Sequence, residues 1–446
     1  MNHIKNAVEK YSDVILAAER YIWAHPETGY KEYETSKFLA GEFERLGYKL
    51  ERAEGITGFC TAVDTGREGP EVLVLAELDS IICPSHPEAD PTTGAVHSCG
   101  HHAQCAALLG VAAALTDKDV LASLSGRIRL CAVPAEELLE IEYRQGLRER
   151  GVIKYLGGKS EFLSRGYFDG VDIAMMVHTT VADNPSVRDG SVGCLAKHVI
   201  YKGRAAHAGG SPWNGINALY AANCGLNAVN AIRETFAEKD YIRVHPIITR
   251  GGDMVNAIPA EVEVESYVRG ASFDAIRAAN KKVNRALVGA ALSLGANVEV
   301  IDMPGYSPLR NDPNMMELAR EAAERALPEM EFKTTHVIGT GSTDMGDLSC
   351  IMPVVHPYMP GAVGTSHGSD YTIKDPVLAC VRCAEWQVTM LTLLLGDGAG
   401  RARKKINEFK PQFASAREFL DYQDSLNDSG DRIVYTDEGC ASVRYE

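Results

Sequence analysis

The sequence has no excess of positive charge: 45 Lys and Arg stand against 60 Asp and Glu, a formal net charge of -15. That balance argues against nucleic acid and anionic membrane surfaces as partners, since either needs a clustered basic face. It leaves the field inside an active site open, because a bound metal dominates its own surroundings. Long apolar runs are missing as well. Even GVAAALTDKDVLASL is broken by charges, so no membrane-spanning helix is expected. The opening MNHIKNAVEKYSDVILAAERYIW is charged and amphipathic, without the apolar core and cleavage site of a signal peptide. The 11 cysteines are scattered and odd in number, several within apolar runs. This argues against a disulfide scaffold and for a reducing, cytoplasmic setting. Internal repeats and low-complexity segments are absent too.

What is present is a long chain with an ordinary globular balance, 45% hydrophobic and 24% charged over 446 residues. A single hydrophobic core seldom spans that length, so two domains are expected. The apolar period switches repeatedly between 2 and 3.6, which indicates an α/β fold. EVLVLAEL (71–78), RIRLCAV (127–133) and DIAMMVH (172–178) read as strands buried on both faces. The Ala- and Leu-rich QCAALLGVAAALTDK between the first two reads as a buried helix. Together they predict a doubly wound catalytic domain with its chemistry at strand ends.

After residue 190 the texture changes to alternating strands, HVIYKG, EVEVESYVRG and ANVEVIDM, with helices near 216–236 and 273–294. An antiparallel sheet with two helices on one face fits that pattern. The expected organisation is therefore a discontinuous catalytic domain (1–190 and 305–446) interrupted by an α+β domain (191–304). A long helix is expected near 374–395, and the charged tail after Arg401 is expected to lie on the surface.

The densest chemical cluster is His97-Ser98-Cys99-Gly100-His101-His102, between a strand and a helix. A thiolate and an imidazole two residues apart, on a turn opening a helix, can both face one ion. The helix N-terminus also favours the thiolate. Glu136 and Glu137 follow in VPAEE at the end of a buried strand. Adjacent carboxylates project differently there, so one can bind metal while the other holds a water and acts as general base. His178 ends DIAMMVH, and His367 sits in the loop GTSHGSD. Alone, each reads as a satisfied core or surface histidine. In company, Cys99, His101, Glu137, His178 and His367 supply S, N and O ligands for one or two divalent ions such as zinc or manganese. Cys380 and Cys383 have redox spacing but lie in a helix-like segment with no preceding strand. GTGSTDMGD lacks the lysine of a phosphate-binding loop.

HSCGHHAQCAALLG, VPAEE, VDIAMMVH, RAAHAGG, VNAIPAEVEVESYVRG and GSTDMGDLSCIMPVVHP occur in the order seen in aminoacylase/carboxypeptidase-type metallopeptidases. The chain resembles their amidohydrolase branch, with hippurate, indole-acetyl-amino-acid and p-aminobenzoyl-glutamate hydrolases, over residues from about 10 to 395. The resemblance implies a catalytic domain with an inserted dimerisation or lid domain, and a homodimer. It implies Cys99, His101, Glu137, His178 and His367 as metal ligands and Glu136 as general base. His207 resembles a histidine that reaches the neighbouring subunit's site and stabilises the oxyanion. Asn256 and Arg269 resemble lid residues that contact the substrate.

Three departures stand out. His102 follows the CGH where Asp or Asn is usual, and Gln104 replaces a second histidine. The segment after Glu137, normally short and glycine-rich, is LLEIEYRQGLRERGVIKYLGGKSEFLSRG, with Tyr143, Arg144, Arg148, Arg150 and Lys154. It reads either as a solvated helix or as a lid shaping the substrate pocket.

The expected function is metal-dependent hydrolysis of the C–N bond of an N-acyl or aryl-amide amino acid, a small carboxylate-bearing substrate. A variant would release ammonia from an aromatic amino acid such as a substituted anthranilate. From other classes come a non-catalytic metal-binding protein on the same fold and a disulfide oxidoreductase using Cys380 and Cys383. The presence of Glu136 speaks against the first.

Overall fold

The computed structural model describes residues 2–445. The three apolar runs become neighbouring parallel strands in a six-stranded sheet. Its order is Glu51–Arg52, Phe59–Asp64, Arg127–Val133, Glu71–Glu77, Ile173–Met175, Val354–Val355. Only the first two pairings are antiparallel. Every residue of Glu71–Glu77 is buried. Val72, Val74 and Ala76 face one core with Ile15, Leu108 and Trp386, while Leu73 and Leu75 face another with Phe162, Leu348 and Phe419. Side chains alternate between the faces of a strand. A strand covered on both faces therefore reads as one unbroken apolar run.

The helix His101–Ala114 is buried along its whole length, which suits a core helix that is apolar all round. It packs against Ser12–Trp23 and Cys383–Leu395. The latter corrects the expectation about apolar runs. Val377–Leu395 is long and apolar enough to cross a membrane by length and composition, yet 78% of its apolar stretch is buried within the protein. It serves as core. Cys380 and Cys383 are free thiols within it, and burial pushes Cys383 up to about 12 and Cys380 far up. Neither has the thiolate character that redox chemistry requires.

A second sheet is antiparallel throughout, in the order Arg243–Val244, Glu261–Gly270, Gly193–Lys202, Asn297–Tyr306, Asp428–Asp431. Helices Ala218–Ala231 and Phe273–Ser293 bury one apolar face against it. Asn217 caps the first by accepting from Tyr220 N–H, and Ser272 caps the second by accepting from Ala275 N–H. The chain's tail differs from the expectation of a surface segment. Helix Ala416–Asp424 sinks Phe419 into the core, and Asp428–Asp431 adds an edge strand to the second sheet.

A third, smaller sheet joins Leu309–Arg310, Ser186–Ser191, Tyr358–Met359 and His178–Thr179, with Lys333–Gly339 pairing Ser186–Ser191. It carries His178 toward the ends of the parallel strands. The cysteines need one correction. Cys60 and Cys131 are direct partners on antiparallel strands and form a disulfide, while nine other thiols are free. One cross-strand bond is still not a scaffold.

Candidate active site

The turn before helix His101–Ala114 depends on Gly100. Its φ is 97°, a conformation that suits glycine, and any side chain there would run into Thr179 and Tyr371. Cys99 and His101 thereby face the same point. Cys99 Sγ lies 3.4 Å from His178 Nε2, and ligand atoms of Cys99, His101 and His178 all fall within 4.8 Å of one another. Cys99, Glu137 and His367 form a second such group. His367 has φ 62° and donates its backbone N–H to Ser98 O at 2.9 Å, which ties its loop to the cysteine turn.

The ring nitrogens facing away from the cluster are engaged. His101 Nδ1 meets Asp79 O at 2.9 Å, and His178 Nδ1 meets Thr179 O at 2.8 Å. Such contacts fix which nitrogen is offered to a metal. On the inner side, His101 Nε2 and Glu77 Oε2 lie 3.3 Å apart, both buried, with no hydrogen bond to any partner. Facing buried donor atoms left without hydrogen bonds fit a cation, and the mixed S, N and O set fits a borderline-soft one.

Glu136 and Glu137 leave the sheet through Ala135, at φ 58°. Side chains hold the departing backbone: Ala135 N–H donates to Glu32 (2.8 Å) and Glu137 N–H to Asp79 (2.7 Å). The carbonyls accept in turn, Glu136 O from Tyr306, Glu137 O from Arg144 and Leu138 O from Tyr267. Glu137 Oε1 then sits 3.1 Å from His367 Nε2, and Glu136 Oε2 sits 3.8 Å from His101 Nε2.

Burial and the charges of Glu77 and Glu137 hold the Glu136 carboxyl well above the usual range. For Glu137 burial acts the same way, but His367 outweighs it and the carboxyl falls far below that range. Burial and Glu137 oppose ionisation of Cys99, yet His101 and His178 bring its thiol down to about 6. Glu137 lifts His367 to about 11.

The five expected ligands and Glu136 thus converge. A cavity of about 380 Å³ opens over them, lined among others by Arg269, Tyr306, Ser342 and His356. His207 and Asn256 are not in it. His207 is exposed, its Nδ1 accepting from Gly209 and Gly210, and Ala208 N–H donates to Asn256 O beside it. His102 turns away, toward Glu19 at 3.4 Å and the Trp23 ring. Gln104 accepts from Glu77 N–H at 3.2 Å.

The segment after Glu137 is not a solvated helix. Arg144, in Ile141–Glu149, is buried and donates to Leu156 O at 2.8 Å as well as to Glu137 O. Leu138 and Leu139 line the cavity, and Gln145 meets His198 of the second sheet at 3.0 Å. Sequence reasoning missed the buried network beneath. Lys159 Nζ donates to Glu77 at 2.6 Å and to Asp344, and both carboxylates are fully buried. The available signal was an acidic residue inside EVLVLAEL.

Residues 76–391 match the family described as Peptidase family M20/M25/M40. The chain belongs to this family. It is accordingly a metal-dependent hydrolase acting on C–N bonds. It is similar to the Xaa-Arg dipeptidase of Mus musculus, 28% identical over 82% of this chain and 81% of that one. It is also similar to an N-acetylcysteine deacetylase of Bacillus subtilis, 25% identical over 72% and 81% of the two chains. A dinuclear metal-binding M20 peptidase from Bacillus subtilis shares the fold, with TM-score 0.62, 21% identity and coverage of 87% and 99%.

Proposed function

We propose that this hydrolase cleaves the amide bond of an N-acyl or aryl-amide amino acid, with Glu136 as general base. The observation that carries this reading is the way the neighbours part: Glu137 groups with Cys99 and His367, while Glu136 turns to the other side, its Oε2 3.8 Å from His101 Nε2, and lines the cavity. The dipeptidase and deacetylase relatives support an amide substrate next to an amino acid. Bound at Cys99, His101, Glu137, His178 and His367, one or two manganese or zinc ions supply Lewis acidity toward the carbonyl and lower the pKa of water.

Glu136 accepts a proton from the attacking water and passes it to the leaving nitrogen. Burial and the neighbouring Glu77 and Glu137 charges raise its pKa, which helps it hold the proton it takes until the leaving nitrogen receives it. Arg269 lines the cavity and binds the substrate carboxylate. His207 lies next to exposed apolar side chains, Trp213 at 77% and Val255 at full exposure. Such a patch suits an interface, and a homodimer would bring His207 and Asn256 to a partner's cavity to hold the oxyanion and the substrate.

The test is a turnover screen of acylated and aromatic amino compounds with zinc- and manganese-loaded protein. Free carboxylic acid plus amine is expected. Ammonia released from an aromatic amine would replace the amidase reading with the aminohydrolase one. No turnover by metal-loaded protein would contradict both.

A further inference from the structure

Two guanidinium groups enter the cavity, and the contacts they make are with neutral groups. Arg269 comes from strand Glu261–Gly270 of the second sheet and Arg188 from strand Ser186–Ser191 of the third. Arg269 Nη1 donates to Ser342 Oγ at 3.3 Å, and its Nε is buried with no partner. Arg188 lies over the Tyr358 ring, 4.9 Å from the centroid. Among the described residues neither forms an ion pair with a carboxylate. Asp189 does not serve Arg188, because successive side chains of a strand point apart and Asp189 meets His336 at 3.0 Å.

His356 supplies an independent observation at the same corner. It lines the cavity and is 2% exposed, and both ring nitrogens are buried without a hydrogen-bond partner. Its backbone N–H donates to Asn311 Oδ1 at 2.8 Å, while the polar atoms of the ring stay unused. The ring packs 5.3 Å from Tyr358 and 5.8 Å from His178. Buried polar groups are nearly always partnered. An orphaned imidazole and a guanidinium that no acid neutralises, both packed on Tyr358 and both lining the cavity, mark a place where ligand atoms complete the bonding.

We infer that the substrate carries two acidic groups, one held by Arg269 and the other by Arg188 with His356. The inference rests on the amide-hydrolase reading above, in which Arg269 takes the amino-acid carboxylate. The planar fork of Arg188 matches a carboxylate with two parallel N–H···O bonds, and His356 donates or accepts at its edge. The substrate class is an amide dicarboxylate. The second acid sits either on the side chain of the amino acid or at the far end of the acyl group.

The experiment compares kcat/KM for N-acetyl-alanine, N-acetyl-glutamate and N-succinyl-alanine, using metal-loaded wild type, Arg188→Met and Arg188→Lys. Wild type should prefer one diacid to N-acetyl-alanine by about ten- to hundredfold, the range of a hydrogen bond to a charged group. Which diacid is preferred assigns the second acid to the amine or the acyl side. Arg188→Met should erase the preference, chiefly through KM, and Arg188→Lys should keep part of it. Equal kcat/KM for mono- and diacids in wild type overturns the inference. So does an Arg188→Met loss of equal size on all three, which would mean one carboxylate shared by both arginines. If none of the three is turned over, the amide reading fails separately. Calorimetric binding of glutarate against butyrate then decides: tighter glutarate binding that Arg188→Met abolishes supports the corner, and equal binding overturns it.

Discussion

Glu137 Oε1 lies 3.1 Å from His367 Nε2, a carboxylate and an imidazole joined from opposite sides of the site. One comes from the end of the buried strand Arg127–Val133, the other from a loop more than two hundred residues later. Their contact draws the loop over Cys99 and leaves Glu136, the next residue back, facing His101 instead.

That pairing sets the proton balance of metal loading. With Glu137 beside it His367 is held at about 11, so without metal it is protonated at neutral pH. A ligand imidazole is neutral, and loading must expel the proton. Cys99, brought down to about 6, is already a thiolate at pH 7 and protonates only as the pH falls through that value. Calorimetry of zinc binding at pH 7 in two buffers of different ionisation enthalpy should show at least one proton released. Affinity should weaken below about pH 6. Buffer-independent heats would contradict the arrangement.

Lys159 holds up the floor of the site. Its ammonium is the buried countercharge of Glu77 and Asp344. Replacing it with Met leaves both carboxylates uncompensated, a loss of about 3–5 kcal/mol. Burial raises Glu77, but Lys159 and then His101 overcome it and hold the carboxyl near 2 against an ordinary 4.5. A depressed carboxylate contributes stability that is present above its unfolded pKa and lost as pH falls through the folded one. In Lys159→Met that acid loss should therefore begin at higher pH. Urea unfolding from pH 7 to pH 3 measures both effects, and an unchanged midpoint would refute them.

His207 and Glu136 should complement each other between subunits if the exposed face beside Val255 joins two copies. Glu136→Gln and His207→Ala would each be inactive alone. Mixed after mild unfolding and refolding, they should regain activity, because one hybrid site carries neither change. Steady-state assay of the mixture checks this, and activity no greater than the sum of the two parents would exclude action in trans.

Much of this was legible beforehand for physical reasons. The parallel strands announced themselves because burial on both faces leaves an unbroken apolar run, Val72 to Ala76, between the two terminal glutamates of Glu71–Glu77. The cluster around Cys99 was legible because three histidines within six residues are rarely accidental. The Lys159 network was hidden, since a buried lysine shows no sign in sequence until its acids are placed around it. Glu77 looked like the edge of an apolar run. Arg188 and His356 come to line one cavity only when strands from different parts of the chain close the third sheet. The edge strand Asp428–Asp431 was missed because a short polar strand has no apolar signature.

The most direct test of the account is Glu136→Gln. The amide keeps size and shape but cannot take a proton, while the ligand set is untouched. The variant should bind metal to the wild-type stoichiometry by elemental analysis, and kcat should fall about 10²–10⁴-fold, the usual contribution of a positioned acid–base group. Metal-replete Glu136→Gln with kcat near wild type would contradict the assignment of Glu136 as the base.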